Sequence, residues 1–320
     1  MRAKASLLIL LPCLSAPAFA WGCKGHQIVA LTAWGMMSDN AKKMTEQLQA
    51  AFPPDPSLKH FCTGDEMLPT IAKVATWADD YRSVDRSTAD WHFLDVPLGT
   101  PVGDGTGFCA MGCVTNAVRD QYAILQNAPG ASTADNAAAL RFVIHFLGDM
   151  HQPLHIATNN DRGGNCVPVK YVNTNPRLDR GKFTPELHSV WDDNLVDAAM
   201  QAANKSDVSS FANFLADLAT QNQADWSKGS APDWMAVTHS IAETVGYGEL
   251  QATPPIPNLA SAIAGPPTLQ SCRDGHYDKT LFGKHLAVTS AYVSDATPQV
   301  RDQLAKAGLR LANMLNALWP

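Results

Sequence analysis

The chain has 320 residues, of which 46% are hydrophobic and 17% are charged. This composition excludes a disordered chain and provides enough apolar side chains for a large buried core. The formal net charge of −6 disfavours long-range attraction of a polyanion, so an anionic substrate would need a local concentration of positive charge. Bound metal ions are one source of such charge.

The first twenty residues have the pattern of a cleaved secretory signal peptide. A basic start is followed by an apolar run at residues 6–11, and residues 18–20 form an Ala-Phe-Ala cleavage site. The apolar run is too short to span a bilayer. We therefore expect a secreted or periplasmic protein that begins at Trp21, with one domain over residues 21–320. Without the leader, 22 basic residues face 30 acidic ones, so the net charge becomes −8.

Apolar residues recur at helical spacing along the chain after the leader, and the alternation typical of strands is nearly absent. The loops at 97–112, 158–185 and 252–275 do not resemble linkers between independently folding units. This pattern predicts an all-α protein, a compact bundle of many helices. The predicted helical segments are 25–37, 40–52, 69–81, 115–127, 133–151, 186–203, 207–222, 232–247, 283–294 and 298–318.

Six cysteines follow the predicted leader, an even number that favours disulfides in an oxidising compartment. Cys109 and Cys113 are close enough in the chain to form a local disulfide. The sequence leaves the other pairings open.

Two His-x-x-x-Asp pairs are the strongest chemical signal. His145 and Asp149 are four residues apart in a predicted helix, so their side chains lie on one face and can share a metal ion. His188 and Asp192 repeat this spacing, and a proline turn can bring His155 back toward the first pair. One such pair is equally compatible with a salt-linked helix. Two pairs and a third histidine favour metal, because buried His and Asp are costly unless paired or metal-bound.

The other histidines are interpreted as structural. His151 is two residues from Asp149 and is expected to face another direction, so we leave it out of the ligand set. Residues 252–281 match no pattern that we can place. The remaining histidines of the second half, which we also treat as structural, are His239, His276 and His285.

The expected start of the mature chain is also informative. Cleavage after residue 20 would expose the α-amine of Trp21, five residues before His26. An α-amine has an ordinary pKa of about 7.7 to 8.0, so it can lose its proton and bind zinc near neutral pH.

With these motifs the chain resembles the zinc-dependent single-strand nucleases of the nuclease S-one/P-one family, which are related in fold to the bacterial zinc phospholipases C. The resemblance runs from Trp21 to about Asp192. It implies three zinc ions with only nitrogen and oxygen ligands, which suit zinc. The implied ligands are Asp79, His92, His145 and Asp149 for one ion, the amine and carbonyl of Trp21 with His26 and the bridging Asp149 for a second, and His155, His188 and Asp192 for the third.

The resemblance implies an endonuclease that cleaves single-stranded DNA and RNA to 5′-phosphate products and has 3′-nucleotidase activity. Asp79 would orient or deprotonate the attacking water, and Arg82 would contact the phosphate in the transition state. Phe93 would stack on an unpaired base, and Asp95 would accept a hydrogen bond from its edge. Asn165 lies in a Gly-Gly-Asn turn that resembles a family loop near the third zinc, which implies that Asn165 is a substrate-binding residue. Arg82 could instead be a surface cation and Phe93 a core residue.

Two other functions fit part of the pattern. A zinc phospholipase C would share the N-terminal tryptophan and the metal cluster. The resemblance to these lipases is weaker, because their pattern has a Glu where this chain has Asp192. A non-catalytic periplasmic zinc-binding protein would need neither Arg82 nor a bridging Asp149. The expected partners are single-stranded DNA, RNA and nucleotides, with phospholipid as an open second substrate. We expect a monomer without an obligatory protein partner.

Overall fold

The computed structural model describes residues 21–60, 62, 67–109, 112–179, 182–265 and 277–320. The predicted signal peptide at residues 1–20, Cys272 and His276 lie outside these residues. None of the described helices combines the length and the apolar character required to cross a bilayer.

The described chain is built mainly from α-helices, which confirms the all-α prediction. Buried apolar residues from most of these helices form one continuous hydrophobic core. The helices are α1 Cys23–Met36, α2 Asp39–Ala51, α3 Thr70–Lys73, α4 Trp77–Tyr81, α5 Val114–Asn127, α6 Ala134–Asp149, α7 Leu187–Ser189, α8 Leu195–Ala202, α9 Val208–Gln221, α10 Gln223–Trp226, α11 Ala231–Ile241, α12 Leu259–Ala262, α13 Tyr277–Phe282 and α14 Ser290–Leu318.

The C-terminal helix α14 organises the bundle. It packs against α1, α6, α8 and α9. Its closest approach to α1 is at Gly308, where an added Cβ would lie 2.5 Å from Cγ2 of Thr32. Because only glycine allows this approach, α14 fixes the position of α1, which carries the candidate ligand His26.

The prediction of two helices at 283–294 and 298–318 is wrong. The structure has a single helix, α14, that begins at Ser290 and contains Pro298. Proline removes one backbone donor, and the carbonyl that loses its partner belongs to Ser294. Ser294 is exposed, so water can hydrogen-bond this carbonyl and the helix continues. Residues 283–289 are not helical.

The predicted helix at 69–81 is divided into α3 and α4. The three residues between them leave the helical ladder, and the carbonyl of Ala75 accepts a hydrogen bond from Nδ1 of His145 at 2.8 Å. The interruption therefore supplies an acceptor to a candidate ligand, which a continuous helix would not do.

Two helical segments contain a π turn. Val190–Asn194 joins α7 to α8, and Ala242–Tyr247 extends α11. Such single π turns are frequent at functional sites. The first one contains the candidate ligand Asp192.

The described strands are short and form two-stranded sheets. Strand β1 (Lys170–Tyr171) pairs in parallel with β4 (Ala287–Val288), and β2 (Arg177–Asp179) pairs antiparallel with β3 (Lys182–Thr184). Disulfides join Cys23 to Cys62 and Cys109 to Cys113, and Cys166 is also disulfide-bonded. Disulfides are typical of an oxidising, extracytoplasmic compartment.

Candidate metal centre

Three groups of buried His and Asp side chains could each hold a metal ion, and two of them overlap. In each group the ligand atoms lie within 4.8 Å of one another. Every candidate side-chain ligand from the sequence belongs to one of these groups. The groups are Asp79, His92 and His145; His26, His145 and Asp149; and His155, His188 and Asp192.

Asp149 belongs to the second group, also faces two histidines of the first, and is fully buried. Its Oδ2 is 3.1 Å from Nδ1 of His92 and 3.2 Å from Nε2 of His145, and its Oδ1 is 3.4 Å from Nε2 of His26. One carboxylate therefore faces imidazoles from three different segments, an arrangement suited to bridging two cations.

The sequence of α6 explains how Asp149 is presented. Thr133 caps the helix by accepting the N–H of Asn136 at 3.1 Å. Nearly every side chain of the following turns is buried, so α6 passes through the core with His145 and Asp149 on one face.

Gln152 connects this helix end to the third group. Its amide nitrogen donates to Oδ1 of Asp192 at 2.7 Å, and its amide oxygen accepts the N–H of Leu154 at 2.5 Å. The second bond shapes the 3₁₀ turn Pro153–His155, which turns His155 toward His188. The three groups are therefore parts of one hydrogen-bonded unit.

The third group contains two imidazoles whose free nitrogens face each other. Nε2 of His155 is 3.1 Å from Nε2 of His188. Nδ1 of His155 lies 2.7 Å from the carbonyl of His92, and Nδ1 of His188 lies 2.6 Å from the carbonyl of Gly163. Because each Nδ1–H donates to a carbonyl, both Nε2 atoms present lone pairs, which repel unless a cation or proton lies between them.

Unsatisfied atoms in the first two groups also fit a cation. Both ring nitrogens of His26 and Oδ1 of Asp149 are buried and have no hydrogen-bond partner among the described residues. Leaving a buried polar atom without a partner costs about 1 to 3 kcal/mol, so such atoms need an explanation. Nitrogen and oxygen donors in these numbers match the ligands that zinc prefers.

Burial sets the charges of the ligands. It lowers the pKa of His26, His92 and His155 to about 4, so these imidazoles are neutral at pH 7 and can bind metal. Burial opposes the ionisation of Asp149, but the nearby His145 and His155 hold its pKa well below the ordinary value. The centre thus combines neutral imidazoles with an ionised carboxylate.

Trp21 lies beside these ligands. It is completely buried, and the N–H of Gly22 donates to the carbonyl of Asp192 at 3.0 Å. Gly148 allows the approach of α1, because an added Cβ would lie 2.9 Å from Nδ1 of His26. The backbone of Trp21 is therefore held between the second and third groups.

The family model described as S1/P1 Nuclease matches residues 21–320. The chain belongs to the S1/P1 nuclease family. It is thus a hydrolase of phosphodiester bonds whose substrates are nucleic acids, which favours the nuclease over both alternatives in the sequence analysis.

Several relatives are similar to the chain over most of its length. Nuclease S1 of Aspergillus oryzae is 26% identical over 306 residues, which cover 94% of this chain and 92% of that protein. Nuclease P1 of Penicillium citrinum is also 26% identical, over 93% of this chain and 97% of that protein. Endonuclease 2 of Arabidopsis thaliana is 24% identical, over 93% and 90%.

In this S1/P1 nuclease family member, Arg82 lies at the edge of the first group. Its Nη2 is 3.2 Å from Oδ1 of Asp79, and the Arg82 side chain is 12% exposed. Burial opposes the ionisation of Asp79, but Arg82 and His145 keep its pKa below the ordinary value. The structure thus pairs the two residues expected to act in catalysis.

Phe93 and Asp95 lie on a segment that runs directly beside the third group. The N–H of Leu94 donates to the carbonyl of His155 at 2.7 Å. Phe93 is partly exposed and is not among the side chains of the hydrophobic core, so its ring is partly accessible. Burial, with a contribution from the charge of Asp161, raises the pKa of Asp95 to about 6.

The side chain of Asn165 is engaged within its own turn. It is buried, and its amide nitrogen donates to the carbonyl of Arg162 within the same turn at 2.9 Å. The nearby Gly163 provides the carbonyl that orients His188, so the turn contributes to the site through its backbone.

One supporting pair was missed by the sequence analysis. The hydroxyl of Tyr247 donates to both carboxylate oxygens of Asp161, at 2.9 and 3.0 Å, and Asp161 also accepts the N–H of Gly164. The pair fixes the turn that orients His188. No local pattern could reveal it, because 86 residues separate its members.

Proposed function

We propose that this nuclease is an exported zinc enzyme that cleaves single-stranded DNA and RNA to 5′-phosphate products and also acts as a 3′-nucleotidase. In this proposal a signal peptide at residues 1–20 precedes a single domain at 21–320. The observation that carries the proposal is that two buried ligand groups share His145 and face the carboxylate of Asp149, with a third group beside them.

Three zinc ions would be held by nine residues in this centre. When bound, zinc lowers the pKa of a coordinated water to about 7 and offsets the charge of a phosphodiester. The proposed ligands are Asp79, His92, His145 and Asp149; Trp21, His26 and Asp149; and His155, His188 and Asp192.

Two residues beside the proposed zinc ions act on the reactants: Asp79 on the attacking water and Arg82 on the phosphate. The pKa of Asp79 is held below its ordinary value, so at pH 7 its carboxylate can accept a hydrogen bond from the attacking water and orient it toward phosphorus. Arg82 presents forked donors beside the same carboxylate. It can contact two phosphate oxygens and offset the charge that grows in the transition state.

Phe93 and Asp95 support the preference for single strands. Stacking on the exposed face of Phe93 requires a base that has left the duplex, and every base has such a face. Asp95 can then accept an N–H from the edge of that base. A paired base would have to be unstacked first, at a cost of a few kcal/mol.

The decisive experiment measures zinc content and activity together. The mature chain should contain three zinc ions, lose phosphodiesterase activity with a chelator and regain it with zinc. Single-stranded DNA and RNA should be cleaved faster than duplex DNA, and a 3′-nucleotide should be dephosphorylated. One zinc or fewer per chain under zinc-replete conditions would contradict the proposal, as would hydrolysis of phosphatidylcholine alone.

A second experiment tests the role of the chain terminus. If the amine of Trp21 binds zinc, a precursor that retains residues 1–20 should be inactive because that nitrogen is in a peptide bond. The control is the same protein after removal of the leader at residue 20. Equal activity of the two forms would remove Trp21 from the ligand set.

A further inference from the structure

A cavity of about 350 Å³ lies outside the metal centre, between a loop and the end of α11. Residues 99–103 form one wall, with Pro101 and Val102 as its apolar part. Ala236, His239 and Glu243 form the other wall. The volume is at the lower end of the range of roughly 300–1,000 Å³ for small-molecule sites, which are mostly apolar with a few polar groups.

The ionisable side chains that line this cavity are His239 and Glu243, which are four residues apart. Nδ1 of His239 is 3.6 Å from Oε2 of Glu243. The other carboxylate oxygen of Glu243 accepts the N–H of Gly99 at 2.5 Å, which ties the two walls together.

His239 has an unmet hydrogen-bonding requirement. The residue is only 3% exposed, and its Nε2 is buried without a partner in the described part of the chain. A buried ring nitrogen without a partner is costly. Since His239 lines the cavity, a ligand with a polar edge can provide the missing bond.

A short segment of the chain connects the cavity to the proposed nuclease site. The chain from Phe93 to Gly99 leads from the base-binding residues to the cavity wall, and the N–H groups of Leu94 and Leu98 donate to the carbonyls of His155 and Thr158. From Asp95 to Gly99 the chain can span at most about 14 Å, at 3.3–3.6 Å per residue. Stacked nucleotides are spaced by roughly 3.4 Å, so the segment spans at most about four stacked nucleotides.

The π turn that carries Glu243 also contacts the ligand-bearing turn. Residues Ala242–Tyr247 pack against Pro153–His155, and an added Cβ at Gly246 would lie 3.3 Å from Cδ2 of Leu154. The two sites therefore share one rigid support.

We propose that this cavity is a subsite for a nucleobase of the same single strand that is cleaved at the metal centre, several nucleotides from the scissile bond. This inference rests on the proposed function. The carboxylate of Glu243 disfavours a phosphate, whereas every base carries at least one N–H donor on its edge that a carboxylate can accept. The apolar residues Pro101 and Val102 suit the ring faces.

The test uses a length series of single-stranded oligonucleotides with the zinc-loaded mature enzyme. In His239→Ala, KM for a decanucleotide should rise about three- to tenfold, while KM for a dinucleotide and both kcat values stay unchanged. Glu243→Gln keeps an oxygen for Gly99 and is partly exposed, so it should fold and raise the decanucleotide KM less. Val237→Ala on the exposed face of α11 and Glu249→Gln are matched controls.

Two results would overturn the subsite. One is an unchanged ratio of decanucleotide to dinucleotide KM in both variants. The other is the loss of one metal ion per chain in His239→Ala with unchanged KM, which would identify His239 and Glu243 as metal ligands. If the unaltered enzyme cleaves no nucleic acid of any length, the proposed function itself fails.

Discussion

Two buried histidines near the end of α6 have their polar atoms satisfied in different ways. Nδ1 of His151 donates to the carbonyl of Leu147 at 2.7 Å, and Nη1 of Arg310 lies 2.5 Å from Nε2 of His151. Burial and the charge of Arg310 lower the pKa of His151 well below the ordinary value, so the ring is neutral and Nε2 accepts. The ring nitrogens of His26 have no hydrogen-bond partner within the described residues, and the ring faces Asp149.

The difference distinguishes His151, which is satisfied by its own chain, from His26, a candidate metal ligand. A buried ring that is satisfied by its own chain contributes to folding. A buried ring that is left unsatisfied beside a carboxylate needs an external partner. His151 and His26 are both almost fully buried, so burial alone does not distinguish them.

The largest expected effect comes from Asp149→Asn. Since Asp149 contacts three candidate ligands, the variant should lose at least two metal ions and reduce kcat by roughly a thousandfold or more. Metal content and single-strand cleavage measure this. Asp135→Asn, in the exposed first turn of the same helix, is the control. Full metal content in Asp149→Asn would contradict the interpretation that His26 and Asp149 face a metal ion whereas His151 is structural.

Arg310→Leu should lower the stability of the fold and leave the metal content unchanged. His151 and the carbonyl of Trp226 would lose their donor, so the free energy of unfolding should fall by about 2 to 4 kcal/mol while metal content is unchanged. Denaturant unfolding and metal analysis distinguish the two effects. Arg301→Leu removes an arginine from the surface of the same helix and should change stability little. Metal loss comparable to that of Asp149→Asn would show that the two regions are not separate.

Phe93→Ala tests whether Phe93 contacts a base of the substrate or supports the metal centre. Loss of stacking should reduce kcat/KM for oligonucleotides by about tenfold, because a stacked base contributes roughly 1 to 3 kcal/mol. Hydrolysis of a small phosphodiester without a base should change little. Equal losses on both substrates would assign Phe93 to the support of the metal centre.

The smallest expected effect is a pH dependence of binding that arises from Asp95. Its pKa of about 6 means that the carboxylate is ionised at pH 7.5 and mostly protonated at pH 5. Asp95→Asn should therefore raise KM for oligonucleotides about threefold at pH 7.5, and the ratio of mutant to unaltered KM should approach one at pH 5. A ratio that does not change between these pH values would exclude this role for the carboxylate.

The helical pattern predicted most of the fold because buried faces repeat regularly along each helix. It failed where the deciding interaction was not local. The break after α3 leaves the carbonyl of Ala75 free to accept a hydrogen bond from His145. The continuity of α14 depends on the exposure of Ser294, whose carbonyl loses its helical partner at Pro298. Neither effect has a signature in the periodicity of apolar residues.

The sequence predicted those residues of the candidate site whose side chains can bind a metal ion. Spacing indicated the pair on α6 and the pair formed by α7 and the following π turn, and the structure brings the other candidates beside them. The supporting contacts could not be predicted. The carbonyls of Ala75 and Gly163 orient His145 and His188, and a backbone acceptor is the same in every residue. The pairing of Tyr247 with Asp161 depends on the folded chain.

The position of α14 has a consequence for the timing of synthesis. All nine candidate ligands precede this helix in the chain, yet α1, which carries His26, is held against it at Gly308. During translation the ligands would therefore leave the ribosome well before the support for His26 exists. The part of the centre that α1 contributes is therefore held in place only once the last helix of the chain has been made.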